Sequence, residues 1–230
     1  MKSLRPFAAQ VTKRYFKRHH RGGWQYALKR MNISRMSIPE LLNSNCRLLI
    51  NKVDYIQFLL SQNMYRNCGV ITIQESWLND LQDDCLVSLR DFKIYRRDRP
   101  NNKKRCGGGV ATFVSVNWYR SSFACFKFSN DFIDCLTQRC RPKHLNKYKY
   151  VYVTNIYVTP DCTLSALSVF ADEFTQFAVA AFSDSLSVVC SDSNSCDCSF
   201  LTSLGHQNIV DYPTRSNIHL NFVFINDVGI

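Results

Sequence analysis

The stretch SLSVVCSDSNS, Ser185–Ser195, carries Leu186, Val188, Val189 and Cys190 as an apolar strand-like run, then stops on an acid and an amide two residues apart, Asp192 and Asn194. Two readings fit it. Asp, Ser and Asn end strands in turns because their short side chains bond the local backbone. Polar side chains at the carboxyl end of a strand in an open α/β sheet instead point into a ligand site. One cluster cannot separate these readings, so the neighbouring segments have to.

Working outward, TLSALSVFADEFTQFAVAAF places Leu164, Leu167, Phe170, Phe174 and Phe177 at helical spacing just before this run. Upstream, KYKYVYVTNIYVTP alternates: Tyr148, Tyr150 and Tyr152 share one face, and Val151, Val153, Asn155 and Tyr157 the other, until Pro160 ends the strand. GVATFVSVNWY reads as strand, entered from a charged loop, YRRDRPNNKKRCGGG, whose three glycines suit a hairpin start better than a phosphate cradle because no helix follows. Further back, RLLINKVDYIQFLLSQN has a helical stripe through Leu49, Val53, Ile56 and Leu60. In CGVITIQESWL, Gly69 is expected to break that helix before a short buried strand through Val70, Ile71 and Ile73 ends at Glu75. Downstream, QNIVDYPT and HLNFVFIND read as strands, the second a last buried one. Mixed strands interleaved with helices, and no strand feeding a glycine-rich turn into a helix, imply one two-sheet α/β sandwich rather than a dinucleotide-binding unit.

A chain of 230 residues with 46% hydrophobic residues can bury such a core without staples. The net charge of +11 is unevenly placed: residues 1–36 hold ten Lys or Arg and no acid, whereas the remainder holds 19 basic against 18 acidic residues. Residues 1–40 are therefore expected to be a basic arm, read either as a phosphate-contacting segment with Phe16, Trp24 and Tyr26 for stacking or as a solvated leader, and 41–230 a nearly neutral globular domain. The arm has no apolar h-region. The 11 cysteines are odd in number and scattered, which suits reduced thiols, and Cys190, Cys196 and Cys198 lack a second ligand pair at zinc-site spacing. No apolar run approaches the ~20 residues of a membrane span. No obligate protein partner is inferred.

Asn45, Glu75, Tyr157, Asp192 and Asn194 thus gather at element ends. A magnesium site needs one or two carboxylates and room for water and substrate phosphate, which Glu75 with Asp192 would supply.

These residues carry a resemblance. The blocks NCRLLINK, ITIQESWL, YRRDRPNNKKRCGGGVATFVS, NIYVTP, VVCSDSN and VDYPTRSNIHLNFVF resemble, in order, the motifs of the endonuclease/exonuclease/phosphatase family, and more narrowly the apurinic-type endonuclease domain of non-LTR retrotransposon polyproteins. The resemblance spans about residues 43–227. It implies a four-layer αββα sandwich of two mixed β-sheets flanked by helices, and magnesium-dependent, or manganese-dependent, cleavage of a DNA phosphodiester inside the cell, in the nucleus where functional. By matching position, Asn45 is the first site asparagine and Glu75 the principal metal ligand. Tyr157 contacts the scissile phosphate, Asp192 positions the attacking water beside the metal, and Asn194 binds phosphate. Thr214 and Arg215 line the DNA side.

The sequence also departs from the pattern. The usual Leu-Asp is Leu220–Asn221, so Asn221 stands where an aspartate orients the catalytic histidine. The terminal Ser-Asp-His is not found before Ile230, and neither His206 nor His219 occupies that slot. Gly-Asp-Phe-Asn has become Ser191–Asn194. The resemblance therefore implies a sandwich lacking its final strand, with impaired nicking. A non-catalytic nucleic-acid binder and a phosphatase or phosphodiesterase of the same fold are the alternatives.

Overall fold

A computed structural model of the chain describes residues 39–99, 107–143, 148–194, 196–210 and 221–227. Apart from Pro39 and Glu40, the basic arm lies outside these, as do Thr214, Arg215, His219 and Leu220.

Two mixed sheets form the centre. The first contains β1 (Glu40–Asn45), β2 (Cys68–Gln74), β3 (Phe92–Arg97) and β4 (Val110–Ser115) in the order β1-β2-β4-β3. The second contains β5 (Tyr119–Ser129), β6 (Ile133–Pro142), β7 (Val151–Val158), β8 (Leu186–Asp192), β9 (Gln207–Asn208) and β10 (Asn221–Ile225) in the order β5-β6-β7-β8-β10-β9. Each sheet has one parallel pair, β1 with β2 and β7 with β8, and is otherwise antiparallel.

Three α-helices and three short 3-10 turns complete the described fold, the α-helices being α1 (Val53–Ser61), α2 (Leu164–Ala181) and α3 (Ser199–Ser203). Ile56 of α1 packs with Ile71, Ile73, Ala111 and Phe113 on the outer face of the first sheet. Phe170, Phe174 and Ala178 of α2 pack with Ile133, Cys135, Tyr152 and Ile156 on the outer face of the second. Between the sheets lie Val70, Val114, Val153 and Leu186, with Val110 and Leu136 alongside. The order of layers is helix, sheet, sheet, helix, as the motif resemblance implies.

α2 begins where Thr163 Oγ1 accepts the Ala166 N–H at 3.2 Å, satisfying a donor the helix itself cannot. Its buried stripe is Phe170, Phe174 and Ala178, and Leu164, counted in that stripe from sequence, is 86% exposed because it lies in the first turn, beyond the sheet. Full burial of each phenylalanine contributes about 1.5–3 kcal/mol.

Other expectations are corrected. Gly69 does not break a helix: α1 ends at Ser61, and Gly69 lies inside β2. It is glycine there because a Cβ would sit 2.4 Å from Pro39 Cβ. The segment holding Asn45, to which no element was assigned from sequence, is a strand, β1. Tyr95–Arg97, read as loop, belong to β3. The run HLNFVFIND forms β10 from Asn221, and among its described residues only Phe224 is buried.

Polar groups clasp the two sheets together. Asn155 of β7 accepts from Gln74 Nε2 at 2.6 Å, and its own Nδ2 donates to the carbonyls of Ile73 at 3.1 Å and Ala111 at 2.9 Å. Gln74 also donates to Asn43 Oδ1 at 2.8 Å.

Candidate active site

The two parallel pairs explain where the polar side chains gather. Parallel neighbours end at the same end of a sheet, so Asn45 pairs across to Gln74 at the close of β1 and β2, and Tyr157 pairs with Asp192 at the close of β7 and β8. The sheets face one another with these ends together. Asn45 Nδ2 donates to Glu75 Oε1 at 2.8 Å and to Asp192 Oδ2 at 2.6 Å. One amide nitrogen, with its two hydrogens, thus joins a carboxylate that follows the first sheet to a carboxylate that ends the second. Arg47, 70% exposed at its side chain, lies 3.4 Å from Glu75 Oε2.

The local backbone is shaped for this. Arg47, Leu48, Glu75, Trp77 and Asn194 all have positive φ, at 40°, 70°, 51°, 53° and 50°. Left-handed geometry is unfavourable for side chains with a Cβ, above all bulky ones, and persists where surrounding bonds over-determine it. Those bonds are present: Cys46, Leu48 and Leu49 N–H donate to the Gln74, Glu75 and Ser76 carbonyls, and Ser76 and Trp77 N–H to those of Gly109 and Gly108. Sheet-like bonding therefore continues past the strand ends while the strained residues turn Glu75 toward the second sheet.

Tyr157, 6% exposed, stands beside this group. Burial first, and then the neighbouring Glu75 charge, push its phenol well above the usual tyrosine value; Arg99 pulls it back and Asp192 adds to the rise. It is a neutral hydrogen-bond donor at every physiological pH. Behind it lies Asp134, wholly buried and paired with Tyr157 across β6 and β7. Asp134 Oδ2 accepts from Arg99 Nε at 3.0 Å, Arg99 Nη2 at 2.7 Å and Gly109 N at 2.9 Å, and Oδ1 accepts from Ser129 Oγ at 2.7 Å. The Arg99 guanidinium lies 5.5 Å from the Tyr157 ring centroid. Gly108 and Gly109 run at positive φ in this corner, and a Cβ on Gly108 would meet Arg99 Cζ at 2.5 Å. The glycines therefore admit Arg99 and Asp134 to the corner.

The structure brings Asn45, Glu75, Tyr157 and Asp192 together. Asn194 follows two residues on, but its Nδ2 donates to the Val158 carbonyl at 2.6 Å, so that nitrogen secures the β7 end. Asn221 begins β10 directly opposite Asp192. His206, the one histidine among the described residues, is buried with its ring 6.0 Å from Phe182, on the helix side of the sheet, and burial lowers its pKa. Arg47, Arg99, Asp134 and Asn155 were not singled out from sequence, since a lone Arg in a charged loop or a lone Asp in a strand carries no spacing signal.

Burial raises the thiol pKa of Cys190 and Cys140 to about 12 and of Cys198 to about 11, so these are inert thiols at neutral pH. Among the described residues no disulfide forms and no three His, Cys, Asp or Glu side chains converge as a metal cage. A hollow of about 420 Å³ among Ala178, Phe182, Leu204 and Asn226 carries no charged side chain and lies apart from the carboxylates.

The donor set suits a hard cation. Glu75 and Asp192 put two negative charges on one neutral amide, and rotating the Asn45 amide by half a turn would offer its oxygen beside them. Two carboxylates, an amide oxygen and water match magnesium, which keeps waters and substrate oxygens rather than an all-protein cage.

No family model matches the chain, and no curated protein matches its sequence. Solved structures do. The endonuclease domain of TRAS1, a telomere-specific non-LTR retrotransposon, is similar at 11% identity over 80% of this chain and 83% of that one, with a TM-score of 0.52. An endonuclease/exonuclease/phosphatase family protein of Leptotrichia buccalis is similar at 11% identity over 81% and 87%, TM-score 0.55. D. rerio TDP2 complexed with single-strand DNA product is similar at 13% identity over 80% and 82%, TM-score 0.50. At such identities the likeness is one of architecture, and the architecture of this chain is the endonuclease/exonuclease/phosphatase fold.

Proposed function

We propose that the chain is a magnesium-dependent phosphodiesterase domain that nicks DNA, of the non-LTR retrotransposon type, with reduced activity. The observation that carries this reading is the Asn45 amide bonded at once to Glu75 and Asp192, which come from different sheets. Two buried or half-buried carboxylates held that close are stable only with a cation or donor between them. The likeness to the TRAS1 endonuclease domain supports the retrotransposon type, and that to TDP2 with its DNA product supports a nucleic-acid substrate.

In this reading Glu75 and Asp192 would hold the cation, which when bound would supply charge neutralisation at the phosphate oxygens. Tyr157 donates its phenol hydrogen to a phosphate oxygen, and its raised pKa keeps that hydrogen in place. Asp192 accepts a hydrogen bond from the attacking water and orients it. Asn45 holds the two acids in register. Reduced activity is read from Asn221, which stands opposite Asp192 where the motif carries an aspartate. An amide there lacks the charge that supports a general base, a group that contributes about 10²–10⁴ of rate. The basic arm over 1–40 adds phosphate contacts, and the site of action is the nucleus.

The test is nicking of supercoiled plasmid with magnesium and with EDTA. Slow magnesium-dependent nicking is expected, falling a further 10²-fold or more in Asn45→Ala and in Glu75→Gln. Nicking that persists in EDTA, or that is unchanged in both variants, overturns the reading.

A further inference from the structure

At the end of β6 remote from Asp134, the second sheet presents cations and rings together. Arg139 lies opposite Phe123 of β5, and its guanidinium stacks 4.4 Å from the Phe123 ring centroid and 4.6 Å from that of Tyr150. Lys149 sits 5.3 Å from the Tyr150 centroid. Arg141, two residues along the same face of β6, is exposed, and so are Arg120 and Lys149. Among the described residues no carboxylate pairs with any of these cations, and the buried Nε of Arg139 has no hydrogen-bond partner. Phe123 remains 43% exposed, an aromatic face open to solvent. Arg139 is five positions along β6 from Asp134, so this surface lies roughly 16 Å along the strand from the candidate site.

A guanidinium between two rings needs no partner to be stable, but its sandwich leaves two things unused: an exposed ring face, and flanking cations with no acids among the described residues. Phosphates neutralise cations, and an unpaired base stacks on an open ring; an acidic peptide would supply only the first. We infer that the Phe123, Arg139, Arg141, Lys149 and Tyr150 surface is a binding platform for single-stranded nucleic acid, separate from the candidate active site. A duplex cannot lay a base on Phe123 without unstacking it. The inference does not rest on the nuclease reading.

The test measures binding of the full chain to labelled oligo-dT and oligo-rU of about twenty nucleotides, and to a duplex of equal length, by fluorescence anisotropy across salt. Phe123→Leu, which keeps apolar packing, should raise Kd for at least one single strand about fivefold or more while leaving the duplex within about twofold. Arg141→Glu with Lys149→Glu should raise it about tenfold or more and flatten the salt slope by one to two. Arg66→Glu with Lys93→Glu, equal in charge and elsewhere on the surface, should have a much smaller effect. Equal losses in the two charge-reversed pairs, or unchanged binding of both single strands by Phe123→Leu, overturn the platform. Because no arm requires cleavage, a chain that binds here and nicks nothing supports the platform while refuting the nuclease reading.

Discussion

The two ends of the β6–β7 pair are built on opposite plans. At one end Asp134 is wholly buried, receives four hydrogen bonds, and backs a tyrosine, two carboxylates and an amide that bond one another across the sheets. At the other, cations stack on rings, no carboxylate among the described residues pairs with them, and Phe123 is 43% exposed. The first end is held by hydrogen bonds, dense enough to maintain strained backbone and to fix distances; the second is held by stacking, which tolerates a range of partners. Geometry that must be fixed and surface that must adapt are thereby placed far apart on the same two strands.

The sharpest way to break this comparison is at Asp134. Asp134→Ala removes one member of a buried ion pair and strands the Arg99 charge, so the chain should lose about 3–5 kcal/mol of stability, read from the denaturant midpoint. A loss under about 1 kcal/mol would mean that the closed end is held by something else.

Alkaline pH sharpens the contrast next, because buried thiols titrate within the sheets. The ordinary thiol value is 9.0, while burial raises Cys68 and Cys125 to about 11 and Cys140 and Cys190 to about 12. Between these limits the unfolded chain binds fewer protons than the folded one, so stability is full below about pH 9 and falls as pH rises toward 11–12. Unfolding midpoints under reducing conditions at pH 8 and pH 10.5 check this. Cys140→Ala with Cys190→Ala should flatten the fall, and an unflattened curve would place its origin elsewhere.

The smallest effect belongs to the open end. Arg141→Glu should change stability by less than about 0.5 kcal/mol, since the side chain is exposed and no carboxylate among the described residues pairs with it. A larger loss in the same denaturant series would show that this end is structural rather than free to bind.

What could be read from sequence follows from how each element is stabilised. α2 and β7 announce themselves because Phe170 and Phe174, and Val151 and Val153, repeat at the period of their structure. β1 does not: ELLNSN has two apolar residues, and it is a strand because β2 supplies its parallel partner. β6 is hidden by its own interior, where Asp134 and Thr137 are buried polar residues whose partners lie on other elements. The same holds for the site. Glu75 and Asp192 end apolar runs and could be named; Asp134 and Asn155 owe their importance to contacts made from 25 to 82 residues away. Arg47 is visible only once the chain turns at Leu48.

The Asn155 clasp sets the tolerance of the whole arrangement to sliding. Its amide reads the Gln74 side chain and two carbonyls of the first sheet from one position on β7, two residues before Tyr157. A one-residue slip of β7 would carry Tyr157 about 3.3 Å and turn it to the opposite face of its sheet, but it would also tear three buried hydrogen bonds from Asn155 at once. The spacing between the acid that follows one sheet and the acid that ends the other is thus gauged by an amide that touches neither of them.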